Sequence, residues 1–196
     1  MKLLYASASP YATKALMAAT LAGVEVEVVP VDATNGDARL AAANPLERIP
    51  CLVLEDGAGL YDSRVITRFL DRRSGGKLIP ADDPLPAERT EAHCDGVADS
   101  LVGWMYEGRF RPEEKIEEAW RDRLWGKAMR GIDHLPAGLP PHGNEAHLGS
   151  VALAAVLGYL DLRFAGRWEE GREGLREWAE AFDANWPQIA KLKPSA

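Results

Sequence analysis

The sequence predicts an α+β chain of two parts: a βαβαββα unit over residues 1–77 and an all-helical bundle over residues 88–196, joined by a linker at 78–87. Three observations carry this. Short apolar strands alternate with helical stretches in the first third, which ends on the hairpin signal Asp56-Gly57. Pro80, Pro84 and Pro86 prevent any long regular element in the linker. Beyond it the composition shifts, because all six Trp lie between Trp104 and Trp186. Residues 1–77 hold nine basic and nine acidic side chains, so residues 78–196 carry the whole net charge of -7.

The elements follow in order. Leu3-Leu4-Tyr5 is a short buried-type strand, and residues 11–22, rich in Ala and Leu, form a helix that Gly23 ends. Residues 24–29 alternate apolar and charged side chains, a half-exposed strand. After a loop containing Asp32 and Asn35-Gly36, a short helix runs over 37–43 and stops at Asn44-Pro45. Residues 51–55 form a strand, Leu60-Tyr61 returns beside it, and Asp62-Ser63 starts a helix over 64–73. The first crossover requires parallel strands, and the hairpin adds an antiparallel edge. The second part holds helices at about 86–108, 112–135, 149–164 and 174–185, with a Pro/Gly/His loop at 136–149. The third of these is apolar almost all round, as a helix at the centre of a bundle must be, with Ser150 as its expected N-cap.

Composition narrows the function. With 46% hydrophobic residues the chain can bury a core, and an acidic second half without a basic stripe argues against nucleic acid. No apolar run is long enough to span a bilayer, and residues 1–6 lack a signal-peptide core, so the expected location is the cytoplasm. Cys51 and Cys94 form no CxxC pair, and Cys51 reads as a buried inert thiol. His142 and His147 have no third ligand in a metal spacing, so no metal is expected. The run around Glu113, Glu114, Glu117 and Glu118 reads as a solvated helix face.

Three features of the first part converge on chemistry. Ser9-Pro10-Tyr11 joins a strand to a helix start, where unpaired N–H groups and the helix dipole favour an anion. Ser9 can cap that helix or turn its hydroxyl to a ligand, and Pro10 suits the first turn. Arg48-Ile49-Pro50 enters the strand at Cys51. Pro50 is either an ordinary turn proline or a cis-proline that turns the Ile49 backbone outward to pair with an extended, peptide-like ligand. Asp62-Ser63 is a second helix start that can act as a plain cap or receive a carboxylate.

Ser9-Pro10-Tyr11, Asn44-Pro45-Leu46-Glu47-Arg48-Ile49-Pro50 and Asp62-Ser63 resemble, in that order, the glutathione-site motifs of the glutathione S-transferases. Residues 95–99 and 158–163 resemble the helical domain of small bacterial, serine-type members. The resemblance implies a thioredoxin-like first domain, a helical second domain and a homodimer. It implies glutathione as co-substrate with no tightly bound cofactor, and a detoxifying transfer of glutathione to a small hydrophobic electrophile. By the same resemblance Ser9 would donate to the glutathione sulfur, and the helix start at Tyr11 would add its dipole. Ile49 would pair through its backbone, Pro50 would fix that geometry, and Arg48 would lie near a glutathione carboxylate. Asp62 and Ser63 would hold the γ-glutamyl end. Trp104, Met105, Tyr106 and Arg109 are candidates for a second-substrate pocket between the domains. The alternative is a non-enzymatic, transferase-like binding or regulatory protein. Two departures stand out: Glu47 replaces a frequent Gly, and Leu153 replaces the usual Asp of a capping motif begun at Ser150, which implies a weaker cap.

Overall fold

The computed structural model describes residues 1–135 and 138–196. The first half holds strands β1 (Lys2–Tyr5), β2 (Glu27–Pro30), β3 (Cys51–Val53) and β4 (Gly59–Leu60) with helices α1 (Pro10–Ala22), α2 (Ala38–Ala43) and α3 (Ser63–Arg73). The sheet order is β2-β1-β3-β4. β1 and β2 are parallel, and β1–β3 and β3–β4 are antiparallel, the thioredoxin-like arrangement the βαβαββα order implies. β2 starts later than the alternating pattern of residues 24–29 suggests. Its register, Lys2↔Glu27 to Tyr5↔Pro30, is limited to the four residues that β1 offers. Gly59 is required in β4, since a Cβ there would lie 1.9 Å from the Ala43 carbonyl oxygen.

The second half is helical: α4 (Leu85–Phe110), α5 (Glu118–Asp133), α6 (Leu148–Phe164), α7 (Glu173–Asn185) and the short α8 (Pro187–Ala190). α4 starts inside the proline-rich stretch because Pro86 falls in its first turn, where proline is tolerated. The helix expected from residue 112 begins only at Glu118. Residues 113–115 form a single 3-10 turn with no buried side chain, so nothing packs against that stretch to hold a longer helix. The acidic run there is exposed, as expected, but not on one helix face. The last expected helix ends where α7 does, and the short α8 that Pro187 starts was not among the expected elements. The expected loop begins at Pro136, which lies outside the described residues.

The N-cap of α6 is His147 rather than Ser150. His147 Nδ1 accepts from the Gly149 N–H (3.0 Å), and Ser150 Oγ accepts from the His147 N–H (3.2 Å) while donating to the Pro141 carbonyl. Burial holds His147 below its ordinary pKa, which keeps the ring neutral and able to accept. The cap expected to be weak at Leu153 is therefore built one turn earlier, and Leu153 is fully buried instead.

α1 and α6 are apolar nearly all round and pack against each other within one hydrophobic cluster that draws residues from both halves. Beside them lies a buried charged cluster. Lys14 Nζ of α1 donates to Glu91 Oε1 (3.1 Å) and Asp95 Oδ1 (2.7 Å) of α4, with the Lys14 and Glu91 side chains 2% and 0% exposed. From α3, Thr67 and Arg68 donate to Glu91 (2.8 Å each), and Arg64 Nε lies 3.3 Å from Asp95 Oδ2. Every buried charge thus has partners, as burial demands. Replacing Lys14 by Met strands two carboxylates. We expect a loss of about 3 kcal/mol in urea unfolding, and an unchanged midpoint would contradict the assignment.

Candidate functional site

The sheet register assembles the site. Leu4↔Cys51 sets the chain leaving β1 beside the chain entering β3, and Leu52↔Leu60 brings the chain leaving β4 to the same end. The parallel pairing of Tyr5 with Pro30 adds the segment after β2. Ser9, Arg48-Ile49-Pro50, Asp62-Ser63 and the 31–37 loop therefore converge on one cleft of about 1560 Å³. That exceeds the roughly 300–1,000 Å³ of a single-ligand pocket, so there is room for two reactants.

Ser9 is the N-cap of α1. Its Oγ accepts from the Ala12 N–H (3.3 Å), which occupies a lone pair and leaves the hydroxyl proton free to donate. The Thr13 N–H is taken by the Ser9 carbonyl (3.0 Å), and the Tyr11 N–H has no intrahelical acceptor. The Ile49–Pro50 peptide bond is cis. Among the described residues nothing hydrogen-bonds to the Ile49 N–H or carbonyl, so that edge is free for a ligand backbone. The turn before it is held by Asn44, whose side chain donates to the Arg48 carbonyl (2.8 Å) and accepts from the Leu46 N–H (3.0 Å). Arg48 lies exposed on the cleft rim. Asp62 caps α3 by accepting from the Arg64 N–H (3.0 Å), with Ser63 buried beside it.

The far wall comes from α4 and α6. Tyr106 and Arg109 line it, joined by Phe110, Tyr159 and Arg163. Trp104 does not line the cleft. It packs edge-on to Phe164 (5.1 Å), with the Arg121 guanidinium 3.5 Å from its ring centre, so its role is packing. The Tyr11 hydroxyl donates to Asp99 Oδ1 (2.5 Å) and so bridges the two walls. Burial and then the Asp99 carboxylate push this phenol far above its ordinary range, which keeps it protonated. Sequence reading missed this bridge and the Lys14 cluster. The available signals were helical spacings: Glu91 and Asp95, Tyr106 and Phe110, and Tyr159 and Arg163 each stand four residues apart on one helix face.

Neither cysteine competes for chemistry at the site. Both are free and buried, and burial raises both thiols. Among the described residues no three His, Cys, Asp or Glu side chains converge as a metal site. Among the described residues no helix is long and apolar enough to cross a membrane.

Glu47 lines the cleft with a positive φ of 50°, the left-handed region that glycine adopts without strain. Glu47→Gly is expected to add about 1 kcal/mol of stability, read as a higher melting midpoint. A lower midpoint would show that the glutamate side chain itself holds the turn.

Comparison with known proteins agrees with this geometry. The model of the glutathione S-transferase N-terminal domain matches residues 8–73, and that of the C-terminal domain matches residues 118–181. A glutathione S-transferase from Methylobacillus flagellatus, solved with glutathione bound, is 33% identical with a TM-score of 0.86, covering 99% of each chain. One from Methylobacterium radiotolerans, in complex with glutathione sulfonate, is 30% identical with a TM-score of 0.89, covering 100% of this chain and 95% of that one. A glutathione transferase family member from Pseudomonas fluorescens, with S-(propanoic acid)-glutathione bound, is 30% identical with a TM-score of 0.86 over all of both chains. Two matched domains in the expected order, and full-length similarity to solved transferases, place this chain in the glutathione S-transferase family.

Proposed function

We propose that the chain binds glutathione at the sheet end of the cleft and holds its sulfur as a thiolate over the start of α1. The observation that carries this reading is Ser9: a helix cap that spends a lone pair on Ala12 and keeps its proton for an anion. In this reading the Ile49 backbone pairs with the cysteinyl part of glutathione, and the first turn of α3 at Asp62-Ser63 receives the γ-glutamyl group. Arg48 on the rim attracts a carboxylate. The similar proteins solved with glutathione bound support the choice of ligand.

The energetics suffice without a metal or a general base. A free thiol titrates near about 8.5, and lowering that by about two units needs roughly 2.7 kcal/mol of preference for the anion. A hydrogen bond to an anion contributes about 1.5–3 kcal/mol and a helix N-terminus about 0.3–1 kcal/mol. The thiolate then attacks an electrophile lying against the α4–α6 wall, where Met105, Tyr106 and Phe110 offer apolar surface. The full reading is a cytoplasmic, homodimeric enzyme that detoxifies electrophiles by conjugation.

Ser9→Ala tests the central role. With a neutral chloronitroaromatic substrate and saturating glutathione, kcat is expected to fall about 10- to 100-fold. Glutathione affinity should change far less, because the backbone contacts remain. A change in kcat of less than twofold would remove Ser9 from the mechanism.

A further inference from the structure

Beside its apolar side chains, the α4–α6 wall of the cleft carries two cationic ones. Arg109 and Arg163 project from two different helices into the same space. Among the described residues neither lies within ion-pair distance of a carboxylate, whereas two of the three other arginines lining the cleft do, Arg39 with Asp37 and Arg64 with Asp95. Arg109 reaches only the Thr34 hydroxyl (3.4 Å). Two of the acidic groups that line the cleft are already engaged. Asp99 accepts from Tyr11, and Asp32 accepts from Thr34 and Asn35.

The same wall carries aromatic surface. Tyr106 and Phe110 meet edge-to-face at 5.0 Å and are 47% and 57% exposed, with Tyr159 buried at their base. The Tyr159 hydroxyl feels both guanidinium charges, which pull its pKa down against the larger effect of burial. A pair of unneutralised guanidinium groups flanking aromatic faces is a receptor for an anionic aromatic molecule.

We propose that the second substrate is an aromatic carboxylic acid, its ring against Tyr106 and Phe110 and its carboxylate between Arg109 and Arg163. This refines the expected hydrophobic electrophile and rests on the glutathione-transferase reading above. For a chlorinated ring the step balances simply: the thiolate electron pair forms the C–S bond at the ring carbon, and chloride leaves with the C–Cl pair. The carboxylate takes no part in bonding and serves only to hold the ring.

The test compares 4-chloro-3-nitrobenzoate with its neutral methyl ester, each rate divided by its uncatalysed rate with glutathione. We expect the wild type to favour the acid in kcat/KM. In the Arg109→Gln, Arg163→Gln double variant the acid-to-ester ratio should fall about tenfold, and the Lys substitutions at both positions should restore most of it. An acid-to-ester ratio that is the same in wild type and double variant overturns the proposal. Calorimetry with the two glutathione conjugates, carboxylate and ester, reads the same preference without turnover. If neither compound is turned over, the transferase reading fails. The arginine pair is then judged by the conjugate affinities alone, and equal affinities overturn it. Circular dichroism melts confirm that the variants remain folded.

Discussion

The structure depends on how Lys14 is buried. Its ammonium group sits between Glu91 and Asp95 at the contact of α1 with α4, and Thr67, Arg68 and Arg64 of α3 complete the cluster. Such a cluster adds little net stability, because desolvation consumes most of the Coulombic gain. What it supplies is position. A purely apolar contact between two helices tolerates sliding by a turn, whereas a lysine with two carboxylate partners accepts one register. That register sets α4 at a fixed height over the sheet, and α4 carries the far wall of the cleft. Asp95 illustrates the cost: burial raises its pKa before Lys14 and Arg64 pull it back. On this group alone, stability is fullest at pH below the ordinary aspartate range and declines as pH rises through its raised folded value.

The near wall is fixed by hydrogen-bond register. Four chain segments meet at the same end of a four-stranded sheet, three leaving strands and one entering β3, and that convergence depends on the register of every pairing. The chemistry then needs very little. A serine that caps a helix already faces the positive end of the dipole, and its remaining proton points to whatever anion replaces water. The two walls divide the labour: backbone groups and helix starts on the sheet side, side chains on the helical side. The sheet side suits a fixed peptide ligand, and the helical side is free to specify a second one.

Much of this was legible in the sequence, because the legible parts are local. Ser9-Pro10 signals a capped helix start, Asp56-Gly57 a hairpin and Asp62-Ser63 another cap, and all three signals act over a few residues. At Glu47 the sequence showed only a frequent glycine replaced, and the structure adds the positive φ. What the sequence hid is long-range. Trp104 stands two residues before Tyr106 on α4, and a helix turns roughly 100° per residue, so it packs behind the wall rather than on it. Nothing local to Lys14 marks its partners, Glu91 and Asp95, which lie some eighty positions away in the chain. The cap of α6 was placed at Ser150 because serine is the better capping residue by type. The buried, neutral ring of His147 took the role instead.

The most direct measurement is an ultraviolet titration of glutathione bound to the wild-type protein, following thiolate absorbance from pH 5 to 10. The account predicts a bound thiol that ionises about two units below the free one, near pH 6.5. A bound thiol that titrates with free glutathione would mean that the start of α1 binds the ligand without activating it, and the transferase mechanism drawn from Ser9 would fail.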